Sequence, residues 1–462
     1  MRLTFIKTFI TWIILLGLFA WLPSEVLASE KRDLVLHPGV SDPRAIFCLV
    51  VFFLSYLLVM TEEKTYLHKS IPVMLGAGII WMVIGIAAPE YNVDHEQLKQ
   101  AIFHDLGEYS SLFLFLFAAM TYINSLEGCN VFAALRSWLV RKGLNYKQLF
   151  WVTGIIAFFL SAIADNLATA LVMGAVIMEV GAGNQKFIAV SMVNIVCAAN
   201  AGGAFSPFGD ITTLMVWQSG QVEFFEFFAL FLPSVATYAV PAAIMTFFVP
   251  SGNPSVSEER VSMKRGARRV IGFGILTIAM AVSFEQFLGL PPFMGMMTGL
   301  SLLMFLAHYL RKTRKEGELE YKIFRAIKEV EWDTLLFFFG VIFSVGGLAF
   351  IGYLKIASTT MYGQWGATTA NVVLGVASAI IDNIPVMFSV LSMQPEMEHF
   401  QWLLVTLTCG VGGSLLSIGS AAGVALMGTA KGNYTFTGHL KWAPVIALGY
   451  AAGIATHFLV NG

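Results

Sequence analysis

The sequence predicts an all-α polytopic membrane protein made of two inverted repeats, each with a re-entrant helical hairpin and a discontinuous transmembrane helix. Three observations carry that expectation. Hydrophobic residues make up 57% of the chain and charged residues 12%, and the mean hydropathy is +0.74, well outside the range of soluble domains. A motif, SAIADNLATA at 161–170, returns as SAIIDNIPVM at 378–387, 217 positions later. A glycine-rich apolar stretch follows each copy, at 194–217 and at 407–428.

Apolar stretches long enough to span a bilayer recur down the chain, among them 45–60, 71–88, 224–249, 270–288 and 440–458. A soluble protein with a very large core would show charged helix faces, and these stretches have none. Arg2 and Lys7 precede an apolar run at 9–22, and V-L-A ends at Ala28. Residues 1–28 therefore read as a signal peptide or a signal anchor, and either places 29–43 outside the cytoplasm. The segments 61–70, 128–149, 181–186, 250–269, 310–332 and 429–441 together hold 21 Lys and Arg, whereas the opposite loops contribute only Lys99 and Lys355. By the positive-inside rule the first set is cytoplasmic and the segment 90–108 is external. The net charge of -1 points to no nucleic-acid partner. Four cysteines without a CxxC pair point to neither a disulfide framework nor a zinc site.

This orientation works only if two apolar regions fail to cross. Residues 149–163 offer a helix of about 22 Å before the first Asp-Asn pair, short of a hydrocarbon core of about 30 Å. The run 167–180 then returns to the side of Lys186, and 366–395 behaves likewise around the second pair. Two hairpins with Asp-Asn tips follow. Irregular backbone at that depth is tolerated only when buried in protein or lining a cavity. Aligning Gly202-Gly203 with Gly412-Gly413 also aligns Gly209 with Gly419, the pattern of matched broken helices. Each half then crosses an odd number of times, so the halves lie inverted. The first repeat is expected at 29–250 with its tip at 165–166, a cytoplasmic linker at 251–269, and the second repeat at 270–462 with its tip at 382–383.

The chemistry is expected at the tips and breaks. Asp165-Asn166 and Asp382-Asn383 place a charge where insertion costs about 2.5–3.5 kcal/mol. Capping the following helix accounts for a short polar residue there, and Pro385 fits an early helical position. Ser or Thr would cap without the charge, so an ion-carrying role is the sharper reading. In the first break Asn200, Ser206, Asp210, Thr212 and Thr213 supply oxygens; in the second, Ser417 and Ser420 do. Ser420 stands where the first half has Asp210, so the duplication is not charge-symmetric. Asp333 opens an apolar run at a cytoplasmic mouth, where it serves equally well as a helix cap. His95 and His104 fall in the acidic external segment and read as solvated positions. Nucleotide-binding and HExxH motifs are absent from the sequence, so ATP-driven pumping and metalloprotease chemistry lack support.

In the order SAIADNLATA, NAGGAFSPFGDITT, WDT, SAIIDNIP and SIGS, the chain resembles the NhaD-type sodium/proton antiporters over nearly its whole length. The resemblance implies an inner-membrane, multi-pass carrier that is not an enzyme and exchanges Na⁺, possibly Li⁺, for H⁺ without a cofactor, as a homodimer. It carries the family's site pattern to Asp165, Asn166, Asn200, Asp210, Thr212 and Thr213. In the second half it reaches Asp333, Thr334, Ser378, Asp382, Asn383, Ser417 and Ser420, with Na⁺ expected at Asp165, Asp210 and Asp382.

The residues themselves lead to a secondary transporter with a carboxylate cation site. Hard oxygens suit Na⁺. A site that holds Na⁺ or protons, but not both, couples the two fluxes once access alternates. A dicarboxylate carrier of similar layout would set three aspartates against its anion. An arsenite permease, with a neutral substrate, is harder to separate. A di-aspartyl intramembrane protease needs two aspartates sharing a water; PFGD at 207–210 half-matches its GxGD, and the duplicated tips have no role in it.

Overall fold

The computed structural model describes residues 42–462 except 66, 182, 255–259 and 315–321; the expected signal segment, 1–28, lies outside the described residues. The helices run α1 Pro43–Met60, α2 Glu62–Thr65, α3 Ser70–Ala87, α4 His95–Gly128, α5 Val131–Arg141, α6 Tyr146–Ala164, α7 Asn166–Val180, α8 Gln185–Gly203, α9 Ile211–Gln218 and α10 Phe231–Thr246. They continue as α11 Ala267–Leu288, α12 Pro292–Lys312, α13 Ile323–Lys328, α14 Trp332–Ile351, α15 Tyr353–Ser358, α16 Ala367–Ile381, α17 Asn383–Met393, α18 His399–Gly412, α19 Ala421–Thr429, α20 Phe436–Leu440 and α21 Ala443–Asn461. Among the described residues ten helices are long and apolar enough to cross a membrane, so the chain is an all-helical multi-pass protein.

Local sequence sets the boundaries. Asp94 and Gln97 close a capping box at the start of the 34-residue α4, satisfying backbone donors that would otherwise be orphaned. Asn145 and Gln148 do the same for α6. That cap starts α6 one turn before residue 149, so this arm has 19 residues instead of the expected fifteen and is about 28 Å long. Length alone therefore does not forbid a crossing by α6. The arms α7, α16 and α17 are short, at 15, 15 and 11 residues. The segment 128–149, expected as a loop, contains α5, whose Phe132, Ser137, Leu139 and Val140 are buried. All four cysteines are buried and unpaired.

The packing comes in matched pairs. α6 lies on α8 as α16 lies on α18, and α1 on α3 as α11 on α12. Between the halves, α3 packs on α14 and α12 on α4, while α7 packs on α19 and α17 on α9. The last long helix of each half, α10 and α21, form another major contact. There Gly449 and Gly453, four apart on one face of α21, sit against Thr237 of α10. A Cβ on Gly453 would come within 1.9 Å of the Thr237 hydroxyl, so this is a small-residue crossing of the kind that brings membrane helices close.

Close approach also fixes the breaks. A Cβ on Gly202 would stand 2.0 Å from the Phe158 carbonyl oxygen, and one on Gly412 would stand 1.9 Å from that of Gly375. Phe158 and Gly375 are 217 positions apart, the spacing of the two motifs. Each broken helix thus meets its own half's tip-bearing helix backbone to backbone.

Candidate ion-binding site

Both tip aspartates interrupt a helix with the same unusual backbone. Asp165 has φ 63° and ψ 157°, and Asp382 has φ 77° and ψ 141°. That region is essentially confined to glycine and costs about 1–3 kcal/mol for other residues. Neither position is glycine, so the carboxylate is retained against a conformational penalty. Asp165 Oδ1 accepts from the Leu167 N–H at 2.6 Å, capping α7. Asp382 makes no such cap, and its Oδ1 is buried without a hydrogen-bond partner among the described residues. Capping therefore accounts for part of what Asp165 does; at Asp382 the Asn383 and Ile384 N–H groups interact with the carboxylate but leave Oδ1 without a donor.

The breaks bring the third aspartate between the tips. α8 ends at Gly203 and α9 begins at Ile211, with Asp210 as its N-cap, accepting from the Thr212 N–H at 3.0 Å through Oδ1. The other oxygen, Oδ2, accepts from Asn166 Nδ2 at 2.9 Å and from Asn383 Nδ2 at 3.0 Å. The asparagines of the two motif copies thus converge on one atom. Asp210 is buried, whereas Asp165 and Asp382 are half-buried. Asp210 lies within electrostatic reach of both Asp165 and Asp382, which makes the three carboxylates one cluster.

Asn200 ties this cluster to the second break. Its Oδ1 accepts from Asn166 at 3.3 Å, and its Nδ2 donates to Ser414 Oγ at 2.9 Å and to Ser420 Oγ at 3.0 Å. Ser414 was not visible as a site residue from sequence, because its counterpart in the first half is Ala204 and duplication gives no signal there. The counterpart of Asn200 is Gly410, beside Ala204 and the Thr212 hydroxyl. The amide bridge between the breaks therefore exists once.

The other expected residues divide clearly. Thr213 Oγ1 donates to the Ser206 and Asp210 carbonyls at 2.8 and 2.7 Å, holding the first break in shape. Ser378 Oγ bonds the carbonyls of Gly375 and Cys409 at 2.8 and 3.2 Å, joining the second tip helix to α18. Ser417 Oγ is buried against Met427 Sδ. Ser206 Oγ accepts from the Phe208 N–H. These four shape the breaks without touching the aspartate carboxylates. Asp333 and Thr334 stand apart, on the first turn of α14. Asp333 accepts from Ser70 Oγ and faces Glu62 and His68, the ligand atoms of all three acidic and imidazole groups lying within 4.8 Å of one another. Thr334 bonds Glu331 at 3.1 Å. This mouth is not remote from the cluster in electrostatic terms: Glu331 lies within reach of Asp165, and Lys69 within reach of Asp382. The Lys69 ammonium itself rests 4.9 Å over the Phe337 ring. His95 and His104 are exposed, on the first three turns of α4.

A family model described as a citrate transporter matches residues 56–410. The chain is 53% identical over 436 residues to a protein named Na(+)/H(+) antiporter NhaD from Alkalimonas amylolytica, covering 90% of each. It is 52% identical to a protein of the same name from Vibrio cholerae serotype O1, covering 89% of this chain and 91% of that one. A plant relative, sodium/proton antiporter 1 of Arabidopsis thaliana, is 32% identical over 92% of this chain and 74% of its own length. With the family model matching residues 56–410 and about half of the residues identical over nine-tenths of the chain, the chain belongs to the citrate-transporter family that the model describes and, within that likeness, to the NhaD-type sodium/proton antiporters.

Proposed function

We propose that this protein exchanges Na⁺ for H⁺ across the inner membrane at the cluster of Asp165, Asp210 and Asp382. The observation that carries the reading is the convergence of Asn166 and Asn383 on a single oxygen of Asp210. Three carboxylates in one low-dielectric site repel one another, and that repulsion is relieved either by a cation or by protons. Asp382 Oδ1, without a donor, is the natural first ligand for whichever arrives. Because both species relieve the same charge, they compete, and competition at one site couples the two fluxes as access alternates. No ATP and no cofactor enters this scheme.

The asparagines hold Asp210 in place while leaving the tips free to change their distance from it. The paired contacts of the halves support a reading as two inverted repeats with hairpin tips, in which a rocking of one half against the other moves the tips together. Glu331 and Asp333 line the cytoplasmic approach and gather cations there, without being part of the exchanging cluster. A second copy of the chain as partner, and Li⁺ as an alternative cargo, belong to the same reading. A tricarboxylate cargo, which the family model's description raises, meets three like charges at the same cluster.

Asparagine substitution tests the reading. Asp165→Asn, Asp210→Asn and Asp382→Asn keep side-chain shape but cannot trade a proton for a cation. Asn caps about as well as Asp at 165 and Asp382 makes no cap, so these two variants are expected in normal amounts in the membrane. Asp210→Asn turns one of two accepting oxygens into a donor facing other donors and is expected in reduced amounts. In all three, Na⁺-dependent proton flux is expected to be lost at every pH when protein amounts are matched. Asp333→Asn is expected to shift the half-saturating Na⁺ only. Near-normal exchange in Asp210→Asn vesicles would contradict the assignment of the cluster.

A further inference from the structure

A buried histidine that the exchange scheme does not use touches the second break. Tyr434 lies in the connection between α19 and α20, and His439 lies on α20, in a segment whose basic residues place it on the cytoplasmic side; both side chains are buried. His439 Nε2 is 2.8 Å from the Ser414 carbonyl oxygen, and Nδ1 is 2.7 Å from the Tyr434 hydroxyl. A carbonyl can only accept, so Nε2 carries the proton. A neutral ring then has Nδ1 as an acceptor, and the Tyr434 hydroxyl must donate to it. Burial pushes the imidazole down to about 4, against the Ser414 hydrogen bond that favours its protonated form. At neutral pH the ring is uncharged, and both of its nitrogens are committed.

Ser414 is also the residue whose hydroxyl accepts from Asn200. Hydrogen bonds therefore run without a gap from the cytoplasmic connection to the carboxylates: Tyr434, His439, Ser414, Asn200, Asn166 and Asp210. One covalent step, from the carbonyl to the hydroxyl of Ser414, lies within it. The break at 413–420 frees the Ser414 carbonyl from helical pairing, and a freed carbonyl in a buried site requires a donor. His439 supplies it. The first half has no equivalent of the hydroxyl link, since Ala204 stands in the place of Ser414.

Resting on the exchange reading above, we infer that His439 is a positioning residue for the cation site, holding the Ser414 peptide and through it the Asn200 amide at the geometry that sets Na⁺ affinity from the cytoplasmic side. It contacts neither the cation nor the carboxylates. Its removal is therefore expected to weaken Na⁺ binding more than it slows turnover.

The test compares wild type, His439→Ala, His439→Gln and Tyr434→Phe in vesicles with matched protein amounts, reading Na⁺-induced collapse of an imposed pH gradient against Na⁺ concentration. His439→Ala should raise half-saturating Na⁺ by about tenfold, the scale of one lost buried hydrogen bond, with maximal rate within about twofold. His439→Gln keeps a side-chain N–H donor and should return to within about threefold of wild type. Tyr434→Phe removes the group that fixes the tautomer and should fall between. If wild type itself gives no Na⁺-dependent signal, the exchange reading fails, whatever the variants do. If wild type exchanges and the His439 variants lose only maximal rate or protein amount, with half-saturation unmoved, the positioning role is overturned. Should His439→Ala fail to assemble, an unchanged half-saturation in Tyr434→Phe overturns it equally.

Discussion

Asp382 adopts a backbone that only glycine occupies freely, yet its carboxylate neither caps a helix nor finds a donor for Oδ1. The positive φ and the donorless Oδ1 both disfavour the residue, which makes it the most informative of the three aspartates. Strain of this kind persists where function requires it. Asp382→Gly should therefore stabilise the folded protein by about 1 kcal/mol through relief of the positive φ, while abolishing exchange. Melting in detergent, followed alongside exchange in vesicles, checks both halves of that expectation. A variant that is less stable than wild type would mean that the carboxylate contributes structurally after all. Asp165 is less clean for this purpose, because glycine there also removes the bond to the Leu167 N–H.

At the scale of elements, the helix breaks depend on glycines that admit a neighbouring backbone. Gly202 and Gly412 approach carbonyl oxygens so closely that a single methyl group collides with main chain, which cannot swing aside as a side chain can. Gly202→Ala and Gly412→Ala are expected to reduce folded protein sharply, overpacking of this kind costing about 1–3 kcal/mol or more. Gly85, where a Cβ meets nothing within 4 Å, is the matched control and should accept alanine without loss. Monodispersity after detergent extraction separates the outcomes. The glycine registers that align the breaks were legible in sequence, because helix interiors otherwise avoid glycine. So were the helix interruptions at Asp165 and Asp382, as charges in apolar runs. Asn200 was legible as an oxygen donor of the first break, but its partner Ser414 and the histidine behind it were not, since neither is repeated in the other half. Length arithmetic also failed at α6: a capping box at Asn145 and Gln148 extends the arm in a way that hydropathy does not register.

For the molecule as a whole, the pairing of each second helix with the other half's third helix, and of each short tip helix with the other half's broken helix, makes the two halves interdependent. Neither half holds a complete cluster, because Asn383 reaches Asp210 across the boundary. The orientation of this assembly rests on the distribution of basic residues. It predicts that single cysteines at Arg265 and Glu96, both exposed, react with an impermeant reagent from opposite sides of the membrane. The four native cysteines are buried and should leave a low background. Reaction of both positions from one side would contradict the inverted arrangement. The central claim is that the cluster trades Na⁺ for protons, and it is tested most directly in vesicles holding an imposed pH gradient. Na⁺ added to the wild-type protein is predicted to collapse that gradient, with Li⁺ and K⁺ run in parallel to define selectivity. A gradient untouched by Na⁺, together with uptake of arsenite or a di- or tricarboxylate by the same vesicles, would contradict it.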